Sequence, residues 1–230
     1  KAAVLEKIIQ YERVHKIKDM NELKRRLGED RRFFSYFHPA LEDEPIIFVQ
    51  VALTNGLGKS IQEIMKPRTG GEKKYDTATF YSISNCQEGL SRVTLGNFLI
   101  KRVVYEIQEE LPNIKNFGTL SPIPGFRDWF TTLDETIIQN ILGKIPYANI
   151  SFLKNSNLKV GDGRIVSNKN AITKLVGHYL INEKNKKDLP INDVCRFHLG
   201  NGAIIDDIVV NANVSEVGFN RSFGVMVNYL

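Results

Sequence analysis

The sequence predicts a mixed α/β domain with a helical insertion, and two kinds of segment support this fold class. Ile46–Leu53 and Thr77–Ile83 are short, apolar and rich in β-branched or aromatic residues, which is typical of buried strands. Leu95–Glu110 carries apolar residues at helical spacing and is followed by Pro112, which is typical of a helix and its end. No G-x-G-x-x-G sequence follows a predicted strand, which argues against a dinucleotide-binding fold.

Capping and turn signals predict the remaining elements of the first half of the chain. Apolar residues at helical spacing predict a helix over Ala2–Ile17, and Asp19 with Glu22 predicts the capped start of another. The other predicted elements are a helix over Met20–Leu27, a helical turn at Ser60–Met65, and strands at Phe33–His38 and Phe117–Leu120.

The second half of the chain is predicted to be helical first and rich in strands at its end. Asp128–Lys187 has helical character over most of its length, so we interpret it as the helical insertion. Arg196–Leu230 has several glycines between apolar segments, which favours strands joined by turns. His198, between Phe197 and Leu199, is therefore expected in a strand.

Composition and charge exclude several classes of function. The formal net charge of +5 is a modest excess that suits a phosphate-bearing ligand. The basic residues occur in short groups without interleaved aromatic residues, so no nucleic-acid-binding motif is predicted. The apolar runs are too short for a membrane span. Cys86, Cys195 and the four histidines have no metal-binding spacing, and two cysteines make no disulfide framework.

A strand, a glycine-bearing loop and a helix form the first segment with chemical potential. The start of a helix presents backbone N–H groups that no carbonyl of the same helix satisfies, and it therefore binds phosphates well. Gly89 and Gly96 permit close approach of the backbone, and Arg92 adds a charged donor. The alternative is an ordinary strand–helix connection.

Ser121 lies in the second such segment, Thr119–Phe126. Prolines on either side of Ile123 stiffen the chain, so the Ser121 hydroxyl is held in one direction as a hydrogen-bond donor to a substrate. No G-x-S-x-G sequence surrounds it, so it is not a nucleophile elbow. The alternative is a rigid surface turn.

His198 is the candidate in the third segment, Arg196–Ala203. An imidazole carries a proton near neutral pH, so His198 is a candidate general acid. The alternative is a core histidine whose hydrogen bonds are satisfied by the backbone.

Several segments in order resemble the malonyl-CoA decarboxylase family. They are LKRRLGEDRR (Leu23–Arg32), FHPALEDEPIIFVQVALT (Phe37–Thr54), ATFYSISNCQEGLSRVTLGNFLIKRVVYEIQEELP (Ala78–Pro112), TLSPIPGF (Thr119–Phe126), RFHLGNGA (Arg196–Ala203) and MVNY (Met226–Tyr229). The resemblance covers nearly the whole chain. It implies the fold of GNAT-type acyltransferases, with a mostly antiparallel sheet flanked by helices, and a catalytic domain over residues 33–230.

The resemblance also implies an activity and site residues. The activity is decarboxylation of malonyl-CoA to acetyl-CoA and CO2, without a metal or an organic cofactor. Ser121 and His198 match the family's catalytic serine and histidine, and the CoA phosphates are expected at Ser91, Arg92, Val93, Thr94, Leu95, Gly96 and Asn97. The expected partners are malonyl-CoA and acetyl-CoA, with self-association as a homo-oligomer and with neither nucleic acid nor membrane.

The sequence also departs from the family's pattern. Thr94 stands where the family often has a glutamate, and the sequence stops at Leu230, just where the family's NYxY ending would supply a second tyrosine. Residues 1–32 are interpreted as a helical segment left from a helical assembly domain. The resemblance leaves three compartments open: the mitochondrial matrix, the peroxisome and the cytoplasm. Two other functions also stay open, an acyl-CoA-dependent acyltransferase and a CoA-binding module without catalysis.

Overall fold

The computed structural model describes residues 2–41, 43–66, 74–87, 89, 95–155 and 157–230. Its strands are β1 (Arg31–Phe37), β2 (Pro45–Thr54), β3 (Thr77–Asn85), β4 (Asn116–Pro122), β5 (Ile205–Val209) and β6 (Met226–Tyr229). Its α-helices are α1 (Ala2–Tyr11), α2 (Met20–Arg26), α3 (Ile61–Met65), α4 (Leu95–Glu110), α5 (Phe126–Thr132), α6 (Glu135–Leu142), α7 (Gly163–Ser167), α8 (Lys169–Ile181), α9 (Asp193–Gly200) and α10 (Glu216–Ser222).

The strands form a six-stranded mixed sheet in the order β1-β2-β3-β4-β6-β5. The β1–β2, β2–β3 and β5–β6 pairs are antiparallel, and β3–β4 is parallel. This confirms the predicted mixed, mostly antiparallel sheet. The chain divides into two compact units, one of Lys1–Gly58 with Glu63–Leu120 and one of Lys59–Gln62 with Ser121–Leu230.

The core of the first unit is built on β2, which is buried along its whole length. Its apolar side chains pack with those of β3 and with the inner face of α4, where Leu99, Val103 and Ile107 are buried. Burying side chains of this size stabilises the fold by about 1.5–3 kcal/mol each. The sequence places β2, β3 and α4 correctly because an apolar strand and an amphipathic helix leave the strongest patterns.

A buried carboxylate follows α1 in the first unit. Glu12 is 3% exposed and accepts hydrogen bonds from the backbone N–H of Val14 (2.7 Å) and His15 (2.9 Å) and from the Ser82 hydroxyl (2.7 Å). Because the Glu12 side chain takes the N–H groups that would continue the helix, α1 ends at Tyr11. The predicted helix over Ala2–Ile17 is therefore too long.

The second unit is mostly helical, as predicted for the insertion. Helices α5 to α8 and two short 3₁₀-helices, Tyr147–Asn149 and Ser151–Lys154, lie between β4 and α9. Phe126 is fully buried, with its ring centroid 5.6 Å from that of Tyr179 and 6.2 Å from that of Phe223. Edge-to-face aromatic contacts of this kind add to the free energy of burial and fix ring orientations.

The end of the chain is less rich in strands than predicted. Arg196–Leu230 contains two short strands, but also most of α9 and all of α10. Ser215 caps α10, because its hydroxyl accepts the backbone N–H of Gly218. This capping signal outweighs the glycines that favour turns. The predicted domain boundary at residue 32 stays a prediction.

Candidate active site

Ser121 lies in the last part of β4, one residue before the strand ends at Pro122. The parallel register of β3 with β4 runs to the Phe80–Thr119 pair. The predicted strand, Phe117–Leu120, ends before Ser121, whereas the observed strand continues through Ser121 and accommodates Pro122 as its last residue. Ser121 is 7% exposed, so it is a buried strand residue and not part of a surface turn.

A tight turn follows Ser121 and begins α5. Gly125 has φ +80°, and a Cβ atom at this position would lie 2.8 Å from the Tyr179 Oη atom. The Tyr179 hydroxyl itself donates to the carbonyl oxygen of Pro124 at 3.1 Å. Glycine is therefore required here both by the backbone angle and by the neighbouring hydroxyl. The turn is fixed by these contacts as well as by its prolines.

His198 lies in helix α9, so the prediction that it occupies a strand is wrong. The Asn192 side chain caps this helix by accepting the backbone N–H of Cys195 at 2.8 Å. Cys195 and His198 are three residues apart and are both buried, which is the spacing of one helix face. The local Phe-His-Leu pattern imitates strand alternation, and the cap three residues before Cys195 was the signal that could have corrected it.

The structure brings the two predicted catalytic side chains together. Ser121 Oγ and His198 Nε2 are 3.1 Å apart and form a hydrogen bond between residues 77 positions apart in the chain. His198 is 5% exposed. With a neutral imidazole, either the Ser121 O–H donates to Nε2 or the Nε2–H donates to Oγ, depending on the tautomer. This is the geometry of a pair that can pass a proton.

Tyr229 is a third member of the site, to which the sequence assigned no role. Its ring stacks on the His198 imidazole, with centroids 4.4 Å apart and an interplanar angle of 22°. Cys195, on the same face of α9 as His198, donates its thiol to the Leu180 carbonyl oxygen at 3.5 Å. Burial raises the pKa of Tyr229, so its phenol stays protonated. No spacing in the sequence links residue 229 to residue 198.

Burial also sets the charge of His198. Desolvation lowers the pKa of His198 to about 4, because an imidazolium loses its hydration inside the protein. The imidazole is therefore neutral near pH 7 and can accept a proton from, or share one with, the Ser121 hydroxyl. A negative charge placed beside it would favour the imidazolium and raise this pKa.

The segment expected to hold the CoA phosphates is described only in part. Leu95, Gly96 and Asn97 form the first turn of α4, whose backbone N–H groups have no acceptor within the helix. Ser91, Arg92, Val93 and Thr94 lie outside the described residues. The predicted strand and the predicted helix are confirmed by the bounds of β3 and α4, and most of the connection between them lies outside the described residues.

Within the described part of the chain, no cluster of three or more histidine, cysteine, aspartate or glutamate side chains is arranged to hold a metal ion. Over the same residues, no helix has the length and apolar character needed to cross a membrane. Cys86 and Cys195 are both buried free thiols.

Comparisons with known proteins agree with this geometry. The family model for the malonyl-CoA decarboxylase C-terminal domain matches residues 1–230. The mitochondrial malonyl-CoA decarboxylase of Anser anser anser is 38% identical over an alignment 248 residues long. The alignment covers 98% of this chain and 49% of the relative. The chain thus spans about half the length of the curated relatives it matches.

Solved structures show the same fold. The crystal structure of malonyl-CoA decarboxylase from Rhodopseudomonas palustris has a TM-score of 0.81 and 39% identity, and it covers all of this chain and 57% of that one. The GNAT-like decarboxylase GphF, solved with isobutyryl-CoA, has a TM-score of 0.58 at 14% identity, covering 100% of this chain and 94% of that one. This more distant similarity shows that the fold is GNAT-like.

We expect the His198 imidazole to be neutral in the folded protein near pH 7. The C2 proton of its imidazole should titrate with a midpoint near pH 4 in NMR spectra of the folded protein, because burial disfavours the imidazolium. The His198→Gln variant assigns the resonance, and unfolding in urea should return the midpoint to about 6.5. A midpoint above 6 in the folded protein would contradict this account.

The same shift predicts how stability depends on pH. Because the pKa of His198 is lower in the folded protein than in the unfolded chain, its contribution is complete above about pH 6.5 and is lost as pH falls toward 4. Wild type should lose about 3 kcal/mol more unfolding free energy than His198→Gln over this range. Equal losses in urea titrations of the two proteins would be the opposite result.

Proposed function

The chain belongs to the malonyl-CoA decarboxylase family, and from this we propose that it converts malonyl-CoA to acetyl-CoA and CO2. The observation that carries the proposal is the 3.1 Å hydrogen bond between Ser121 Oγ and His198 Nε2 in a buried site. Both residues were expected from the family resemblance, and they lie on different secondary-structure elements. Two distant segments therefore converge on one proton-transfer pair.

The reaction needs a place for negative charge and a source of one proton. When the bond between the carboxylate and the α carbon breaks, CO2 leaves and the electron pair becomes an enolate shared with the thioester oxygen. One proton must then be added to the α carbon to give acetyl-CoA. The thioester is itself the electron sink, so we propose that no metal or organic cofactor takes part.

His198 is proposed as the group that delivers this proton. It is neutral in the unliganded site, because burial lowers the pKa of the imidazole to about 4. The negative charge of the bound malonyl carboxylate, and then of the enolate, raises that pKa, so the site gains a proton when substrate binds. Ser121 is proposed to donate a hydrogen bond to the carboxylate or the thioester and to fix the direction of the breaking bond.

The residues that hold the CoA phosphates are proposed from the family resemblance. Ser91, Arg92, Val93, Thr94, Leu95, Gly96 and Asn97 include the start of α4, where unpaired N–H groups and the helix dipole favour an anion. Thr94 offers a hydroxyl in place of the carboxylate often found in the family, which reduces the negative charge of the segment. Self-association also stays a prediction. So does the compartment, for which the goose relative's name is mitochondrial.

Substitution of the catalytic pair should remove turnover while substrate binding persists. Ser121→Ala and His198→Gln should each lower kcat for CO2 release from malonyl-CoA by about 100- to 10,000-fold. The assay follows CO2 and acetyl-CoA together, in buffer with EDTA, so that metal-independent activity is measured at the same time. Ser222→Ala and His178→Gln are matched controls, because they change a buried hydroxyl and a half-buried imidazole in the same unit.

The same assay separates the alternatives. Full activity in both Ser121→Ala and His198→Gln would contradict the assignment of the pair. A folded wild-type protein that binds CoA without releasing CO2 would be a binding module. Transfer of the acyl group to an acceptor without CO2 would identify an acyltransferase instead.

A charge substitution tests the phosphate-binding segment. Arg92→Ala should raise the KM for malonyl-CoA by about tenfold and leave kcat nearly unchanged, because one charge-assisted hydrogen bond to a phosphate is lost. Arg102→Ala is the control, since Arg102 is exposed on α4 and pairs with Glu106. An unchanged KM in Arg92→Ala, or an equal rise in Arg102→Ala, would argue against this segment.

A further inference from the structure

The Ser121–His198 hydrogen bond needs something to hold its two partners in register. Ser121 lies on β4 and His198 on α9, and the two are separated by 77 positions in the chain. A hydrogen bond between side chains cannot by itself fix the elements that carry them, because its net free energy is only about 1 kcal/mol. The distance between the two elements must therefore be set by other contacts.

Asn192 makes one contact to each of these elements with the two ends of its amide. Its Oδ1 atom accepts the backbone N–H of Cys195 at 2.8 Å, which caps the helix that carries His198. Its Nδ2 atom donates to the carbonyl oxygen of Pro124 at 2.8 Å, in the turn three residues after Ser121. Asn192 is 2% exposed, so water does not compete for either bond.

The Pro124 carbonyl has a second fixed donor, the Tyr179 hydroxyl at 3.1 Å. Gly125 follows with φ +80°, and a Cβ atom there would lie 2.8 Å from the Tyr179 Oη atom, so the Tyr179 hydroxyl packs directly against the turn whose carbonyl it bonds. The Asn192 side chain thus bonds a stiff turn on one side and a helix end on the other.

We propose that Asn192 is a positioning residue that sets the Ser121–His198 distance by joining the Pro124 turn to the start of α9. The proposal rests on the proposed function for its kinetic consequences. A displacement of about 1 Å at a reacting pair can cost about 100-fold in rate. Loss of the hydrogen bond from Asn192 to Pro124 should therefore act mainly on kcat. It should change KM little, because the bonds of Asn192 go to protein backbone.

Asn192→Ser and Asn192→Asp separate the helix cap from the hydrogen bond to the Pro124 carbonyl. Serine and aspartate both accept the N–H of a capped helix. Serine is too short to reach Pro124, and aspartate has no amide donor to give to its carbonyl oxygen. Each variant should fold, and each should lower kcat about 10- to 100-fold with a KM within about threefold of wild type. Tyr179→Phe removes the other donor to Pro124 and should give a smaller decrease of the same kind.

A cap elsewhere in the same unit is the matched control. Asp134 caps α6 by accepting the N–H of Ile137 at 2.8 Å. Asp134→Ala should lower the melting temperature by about 2–4 °C and leave kcat unchanged. An equal loss of kcat in Asp134→Ala would mean that Asn192 acts only through general stability, and would overturn the proposal.

Two further measurements distinguish positioning from a structural role. Asn192→Ser should cost kcat much less in the Ser121→Ala background than in wild type, because there is no longer a pair to align. The chemical shift of the His198 C2 proton should change in Asn192→Ser, and this shift does not depend on turnover. If wild type proves inactive, the proposed function fails, but the chemical shift still tests whether Asn192 positions His198. Wild-type kcat and an unchanged His198 chemical shift in Asn192→Ser would overturn the proposal.

Discussion

The buried hydrogen bond between Ser121 and His198 sets the strictest requirement on the second unit of this protein. Burial keeps the His198 imidazole neutral by disfavouring its charged form, and its proposed use as a proton carrier requires that water stay out until substrate charge arrives. Ser121 and His198 are both buried, and the ring of Tyr229 covers one face of the imidazole. The contacts that bury Ser121 and His198 therefore also restrain their positions.

The Asn192 cap and the Cys195 and His198 side chains of α9 lie at intervals of three residues, and each has a different partner. Asn192 bonds the Pro124 carbonyl, Cys195 bonds the Leu180 carbonyl and His198 bonds Ser121. The three-residue spacing places Cys195 and His198 on one face of the helix, directly after the cap. One short helix can therefore organise the strand end, the turn and the stacked tyrosine, and each bond restrains the next.

Patterns within a few residues were sufficient to predict much of the fold. The buried strand β2 and the amphipathic helix α4 were placed correctly because each leaves an uninterrupted apolar pattern. The element that holds His198 was wrong, because a helix of eight residues shows too few turns for its period to exceed the strand-like alternation. The strand predicted over Phe117–Leu120 stopped one residue short of Ser121, because Pro122 was expected to end the strand pairing.

The proposed catalytic pair was identified from the family resemblance, and the side chains that contact it were identified from the structure. Ser121 and His198 could be named from short motifs, but Tyr229 and Asn192 reach the site through contacts that no local pattern encodes. The stack on His198 joins residues from a helix and a strand, and the Asn192 bond joins a cap to a turn. Such contacts depend on tertiary packing, which single-sequence patterns do not specify.

The most direct test of the account is whether Ser121 and His198 act as one unit in decarboxylation. The measurement is kcat for malonyl-CoA in the Ser121→Ala/His198→Gln double variant, compared with wild type and with both single variants. If the pair works together, the double variant should be no slower than the slower single variant within a few-fold. If the two losses multiply, the side chains act independently, and the hydrogen bond between them is not the centre of the mechanism.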